Sequence, residues 1–388
     1  MRIGVVTYWN SDDNYGQVLQ CYALQRYLRS RGHDVFLIRY LPKSNSLPLL
    51  QKARKYLSPK GIAYLLSKQR KNDKRTYREE ERLRAINQEL NKKRHFDDFR
   101  REHIHSSEVV YHDLREIRDN PPDADIYICG SDQVWNNPVF LSDTAVWYLA
   151  FGNKKTRRVA YAASIGRNLH KKELSLFKQY LSTFEKIGVR EESTRQLCEQ
   201  LNIKDVQVTL DPTLLLPEEE YRKIASSTSN TGKPYLFMYV LNVSTSSEIY
   251  WEKIREYIER EELDFKIVCS SGYMQARELL EGYRNLQATI PEWLSYIENA
   301  RCVITTSFHG VVFCIKMHKP FLAILLVNKY SKGNNRITSL LNSTGLSDRI
   351  YSPALPIDTQ MDKPIPWEGV ESRINELQKQ SSNFLDSL

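Results

Sequence analysis

Short, wholly apolar runs alternate along the chain with longer stretches in which apolar residues recur every three or four positions. The first run, residues 3–7 (IGVVT), is rich in β-branched types and predicts a strand buried on both faces, as in a parallel sheet. Asn14-Tyr15-Gly16 breaks it. Val18, Leu19, Tyr22, Ala23, Leu24, Tyr27 and Leu28 then follow at helical spacing, with Gly32 as the expected C-cap. VFLIRY completes a βαβ unit, whose crossover leaves a loop at the strand's carboxyl end facing a cleft.

The alternation then repeats. Residues 124–130, 158–164, 186–190 and 206–211 predict further strands, with helices over 171–185 and 192–201. The stretch 212–234 mixes Pro, Ser, Thr and Gly in the manner of a linker. Beyond it, strands are expected at 235–241, 265–270, 302–306 and 321–325, and helices near 247–261, over 291–300 and from 310 to about 318. Two α/β units in tandem predict two Rossmann-like domains facing a central cleft. Their expected spans are 1–220 and 221–355, followed by an amphipathic tail, 356–388, able to pack back on the first domain.

At 388 residues the chain exceeds what one hydrophobic core serves, and 41% hydrophobic residues are enough to fill two. The six cysteines form no CxxC pair and read as reduced core residues. MRIGVVTYW lacks the charged leader and apolar segment of a signal peptide, and no apolar stretch reaches the roughly 20 residues of a membrane span. A soluble, cytoplasmic protein is expected.

The net charge of +9 is local: between Lys52 and Glu102, 17 Lys and Arg stand against 8 Asp and Glu, which accounts for the whole excess. The rest is neutral, and no nucleic-acid partner is expected. Two readings of the basic stretch stay open. It is either a solvated helix held by i,i+4 pairs or a patch in which Ile62, Tyr64, Leu65 and Leu66, flanked by Lys60, Lys68, Arg70 and Lys71, docks on anionic lipid.

Four segments stand at carboxyl ends of predicted strands: NYGQVLQCYALQRYL, GSDQVWN (130–136), VREES (189–193) and TTSFHGVVF (305–313), with Asp211-Pro212 closing the last strand of the first domain. Taken singly these are weak signals. Asp132 reads equally as an Asx-turn or N-cap, Arg190 as a solvated strand-end residue, and His309 as a histidine that only packs at a helix start. His103-Ile104-His105 would share one strand face as a metal pair, yet no third ligand stands nearby and an exposed edge is the simpler reading. No G-x-G-x-x-G, Walker A or G-x-S-x-G sequence is present.

In combination and order, the four segments resemble the polysaccharide pyruvyl transferase family, from Met1 to about Tyr351. The resemblance implies a GT-B-like architecture with the active site between the domains. It also implies transfer of the enolpyruvyl unit of phosphoenolpyruvate to two sugar hydroxyls of a lipid-linked glycan, as a pyruvate ketal. That chemistry requires neither a metal nor a dissociable cofactor. It needs a general acid for the vinyl carbon, a cation for the donor and a group to orient the hydroxyls. His309 at a strand-to-helix junction suits the acid, since imidazole both gives and takes protons near neutrality. Asp132 suits the hydroxyl-orienting role. Arg190, Ser307, Gly310, Lys332 and Arg336 are the expected phosphoenolpyruvate contacts, and Asn14, Tyr15, Gly16, Gln133 and Trp135 the expected acceptor contacts. The family often carries an Arg two residues before the histidine. Here that residue is Ser307, so Arg336 or Lys332 is expected to supply the missing charge. The rival readings are a nucleotide-sugar glycosyltransferase of the same architecture and a non-catalytic glycan-binding scaffold.

Overall fold

The computed structural model describes residues 1–42, 74–137, 142–225, 232–270, 279–280 and 282–388. The lipid-docking residues considered above, between Lys60 and Lys71, lie outside them.

Among the described residues the strands form two sheets, parallel throughout. The first holds β1 (Arg2–Val6), β2 (Asp34–Tyr40), β3 (Ser106–Tyr111), β4 (Ile126–Cys129), β5 (Arg157–Ala163), β6 (Lys186–Val189) and β7 (Val206–Val208), in the order β3-β2-β1-β4-β5-β6-β7. The second holds β8 (Tyr235–Leu241), β9 (Asp264–Ser270), β10 (Cys302–Thr305) and β11 (Phe321–Ala323), in the order β11-β10-β8-β9.

The apolar runs bury both faces because successive side chains point to opposite sides. In β8, Tyr235, Phe237 and Tyr239 face a core shared with Ile3 and Val5 of β1, while Leu236, Met238 and Val240 face a separate outer core. The shared core ties the two sheets together through the helix Tyr15–Ser30 and the helices Ile290–Glu298 and Phe308–Lys316.

Strand order reverses beside β1, which has β2 on one side and β4 on the other, and beside β8, flanked by β10 and β9. Such switch points open a crevice at the carboxyl ends of the strands, where ligands of open α/β sheets bind. Asn14 and Asp132 follow β1 and β4; Asn242 and Ser307 follow β8 and β10.

The stretch 212–234 is a linker only in part, since Glu218–Arg222 is a short helix and Leu214 and Tyr221 are buried in the shared core. Two further expectations change. The helix expected from Gly310 begins at Phe308, because the Ser307 hydroxyl caps it by accepting from the Gly310 N–H at 3.2 Å. His103 ends the helix Phe96–His103 and packs on the rings of Phe99 and Tyr22, and β3 begins only at Ser106, so His103 and His105 share no strand.

The helix Trp367–Asp386 runs back to the first sheet. Its Ser381 hydroxyl accepts from the Leu210 N–H at 2.9 Å, Gln378 donates to the Leu214 carbonyl, and Phe384 meets the Tyr161 ring. Among the described residues no helix is long and apolar enough to cross a membrane.

All six cysteines are free and buried. Burial pushes the thiols of Cys21, Cys198, Cys269 and Cys302 up to about 12, and those of Cys129 and Cys314 upward as well. The unfolded chain therefore ionises them first. Their contribution is full below about pH 8.5 and falls as pH rises, by up to about 1.4 kcal/mol per pH unit for each thiol. Lys316, lowered by burial to about 8, acts in the opposite sense, as do Lys319 and Lys266, also lowered by burial, but they are three groups against six. The urea midpoint, measured in reductant, is expected to fall between pH 7.5 and 9.5; a flat or rising midpoint would contradict this.

Candidate active site

The site is assembled from loops at the switch points of both sheets. Asn14 caps the helix Tyr15–Ser30, accepting from the Gln17 N–H at 3.2 Å. The next turn carries Gly16, and here the side chain matters by its absence: a Cβ would fall 2.0 Å from Nδ1 of His309. The first domain thus holds a notch for an imidazole of the second. His309 lies in the first turn of its helix, 5% exposed.

After β4 the chain turns at Gly130, whose φ of +115° is left-handed and where a Cβ would fall 2.1 Å from the Tyr161 carbonyl oxygen. Asp132 follows, also at positive φ (+72°), the region that Asp tolerates better than most residues. The turn brings its carboxylate to 3.5 Å from Arg190 and 3.8 Å from Arg336.

Arg190 is the hub. Its nitrogens meet Asp211 at 2.8 Å, Glu191 at 3.0 Å and Asp132 at 3.5 Å, all four side chains being at least nine-tenths buried, and its guanidinium lies over the Phe308 ring. Burial works against the Arg190 charge, but Glu191, Asp211 and Asp132 outweigh it and raise its pKa. Burial likewise works against the Asp211 carboxylate. His309, Arg190 and Thr213 outweigh that penalty and hold it well below the usual carboxylate range. Nε2 of His309 lies 3.6 Å from the Asp211 carboxylate, just beyond hydrogen-bond length. Arg336 differs: burial and then the like charge of Arg190 lower its pKa, more than Asp132 and the other carboxylates restore.

A cavity of about 140 Å³ opens on this cluster, with Asn14, Asp132, Gln133, Ser307, His309 and Arg336 in its wall. Gly310 sits behind it, donating to the Ser307 cap. Other expected contacts are turned away. Tyr15 is fully buried, stacks on Trp293 and donates to the Ala288 carbonyl at 2.6 Å. Trp135 is fully buried and donates to the Trp147 carbonyl at 3.2 Å. Lys332 is exposed and lines a different cavity. Arg190 reaches the cluster, yet all three of its nitrogens face protein carboxylates, so it organises the site from behind rather than offering a fork to a ligand.

Two members of the cluster were not among the expected contacts. Glu191 sits inside VREES, beside Arg190, and receives the Ser164 hydroxyl at 2.8 Å. Asp211 precedes Pro212, and its position at the end of a strand run was the available signal.

By structure the chain is similar to a UDP-N-acetylglucosamine 2-epimerase from Rickettsia bellii, with a TM-score of 0.52 and 9% identity over 100% of this chain and 96% of that one. A structure described as a UDP-N-acetylglucosamine 2-epimerase from Listeria monocytogenes gives 0.50 and 10% identity, over 97% and 90%. At such identities the likeness shows the fold alone, the two-sheet GT-B arrangement. Curated proteins give no sequence match. A family model does match, over residues 14–326, a span that takes in Asn14, Asp132, Arg190, Asp211, Ser307 and His309 and stops short of Arg336. The chain belongs to the polysaccharide pyruvyl transferase family.

Proposed function

We propose that the chain transfers the enolpyruvyl unit of phosphoenolpyruvate to two hydroxyls of one sugar residue in a lipid-linked glycan, forming a pyruvate ketal and releasing phosphate. The observation that carries this reading is the meeting of His309, Arg336 and Asp132 at one small cavity between the domains. Arg336 is a cation short of compensation, and the helix beginning at Phe308 turns its N-terminus to the same space, so an incoming dianion is favoured there.

In the proposed reaction His309 gives a proton to the methylene carbon, and positive charge develops at C2. The first sugar hydroxyl bonds to C2 and passes its proton to Asp132. The C2–O bond to phosphate then breaks, with Arg336 on the departing oxygens, and the second hydroxyl bonds to C2 to close the ketal. Of the two hydroxyl protons, one replaces that taken up by the new methyl group and the other leaves with phosphate.

The test is phosphate release from phosphoenolpyruvate that depends on added sugar, with a ketal found on the sugar by mass spectrometry. Hydrolysis of a nucleotide sugar without phosphoenolpyruvate turnover would replace this reading by glycosyl transfer. Sugar binding with neither reaction would leave a scaffold. Arg336→Ala is expected to raise the KM for phosphoenolpyruvate about ten- to a hundredfold, the worth of a charged hydrogen bond, and that for the sugar far less. Equal effects on both would make Arg336 a structural partner of Asp132.

A further inference from the structure

A second cavity, of about 500 Å³, is lined on both sides by residues that adjoin those of the candidate site. On the first-domain side Gln133 faces the site, while Ile165 and Arg167 face the second cavity. The intervening Gly166 is pressed so closely on the Gln133 amide that a Cβ would fall 1.8 Å from its Nε2. On the second-domain side Gly333, Asn334 and Arg336 face the site, and Lys332 and Asn335 the second cavity. The two spaces are neighbours along one interdomain cleft.

Volume separates their tasks. Pockets that enclose small organic ligands span about 300–1,000 Å³. The site's 140 Å³ falls below that range and suits small reacting groups, whereas the second cavity falls within it. Its lining matches sugar in kind. Ile165, Leu169 and Leu197 offer aliphatic surface to pyranose C–H faces, and the exposed Asn168, Lys332 and Asn335 offer hydrogen bonds to hydroxyls. Arg167 is committed elsewhere, to the Asn136 carbonyl at 2.6 Å and to both oxygens of Glu173, so it fixes the wall. Among the described residues no aromatic ring lines the cavity.

We infer that this cavity binds the sugars next to the one that reacts, making the protein selective for an oligosaccharide over a single sugar. The inference rests on the pyruvyl-transfer reading for its acceptor. Native protein and an Asn168→Ala/Asn335→Ala variant would be titrated with methyl β-galactoside, methyl β-glucoside and trisaccharides ending in each, by calorimetry and by phosphoenolpyruvate-dependent phosphate release. In the native protein a trisaccharide is expected to bind about tenfold more tightly than its monosaccharide, and in the variant the gain should shrink to about twofold or less, as for loss of two hydrogen bonds. Should the double variant fold poorly, Lys332→Ala, at an exposed position, provides the second reading. Equal affinities in the native protein, a gain retained in the variants, or no trisaccharide binding would overturn the inference. A calorimetric gain lost in the variant but unaccompanied by phosphate release would support the cavity and overturn the reaction instead.

Discussion

Replacing His309 by alanine is expected to lower turnover by about two to four orders of magnitude while the fold survives, the range for losing a general acid. The ring is held where acid–base work needs it. Gly16 admits it from the first domain, Ser307 caps the turn that carries it, and Asp211 lies 3.6 Å from Nε2. Asp211 keeps Arg190 and Thr213 as partners when the imidazole goes, so the buried cluster persists. Gly16→Ala tests the same point with the histidine intact. The new methyl group must displace the ring, and a comparable loss of turnover is expected. Imidazole added to the medium should partly restore His309→Ala, because the notch stays open, and should do nothing for Gly16→Ala, where it is filled. Near-normal turnover in well-folded His309→Ala would sink the assignment.

Arg190→Met is expected to act on the fold rather than on one step. It would leave Asp132, Glu191 and Asp211 buried within one cluster without the cation they share. Breaking a buried ion pair costs about 3–5 kcal/mol, against a total stability of about 5–15 kcal/mol. Lysine is a poor rescue, since one ammonium cannot present three nitrogens to three carboxylates. The sign with pH follows. In the native protein Asp211 has a depressed pKa, so its contribution is present above the usual carboxylate range and lost as pH falls through the acid region. In the variant, Asp211 keeps its burial without the Arg190 charge that helps hold its pKa down, so less stability is lost as pH falls. The gap between the two urea midpoints should therefore narrow from pH 7 to pH 5. A gap that is constant or widens would show that the loss is one of packing.

Much of this architecture was legible because parallel strands buried on both sides write themselves as unbroken apolar runs, as in β1 and β8. The edge strand β3 was not legible. Half of its residues, SSEVVY, are exposed and they carry no such run, and the helix before it is written in charges. The strand-end positions of His309, Asp132 and Arg190 could be read from the pattern, but not how each side chain is satisfied. The role of Arg190 depends on Asp211, distant in sequence and brought near only by the pairing of β6 with β7. Tyr15 and Trp135 mark the same limit. An aromatic beside a cleft loop serves equally as a ligand platform or as core, and one step around a helix or turn decides which. Lys332 and Arg336, one turn apart, fall into different cavities for the same reason.

The helix Trp367–Asp386 has a consequence for synthesis. Domains tend to fold as units while the chain is still emerging, the N-terminal one first. Here the surface around Tyr161, Leu210 and Leu214 is covered by a helix translated after the whole second sheet. The second sheet can pair its strands before the first is finished, and the first waits, with an apolar seam open to solvent, for residues that leave the ribosome last of those that pack on it. The surface of the first domain is thus completed only after the second has been translated.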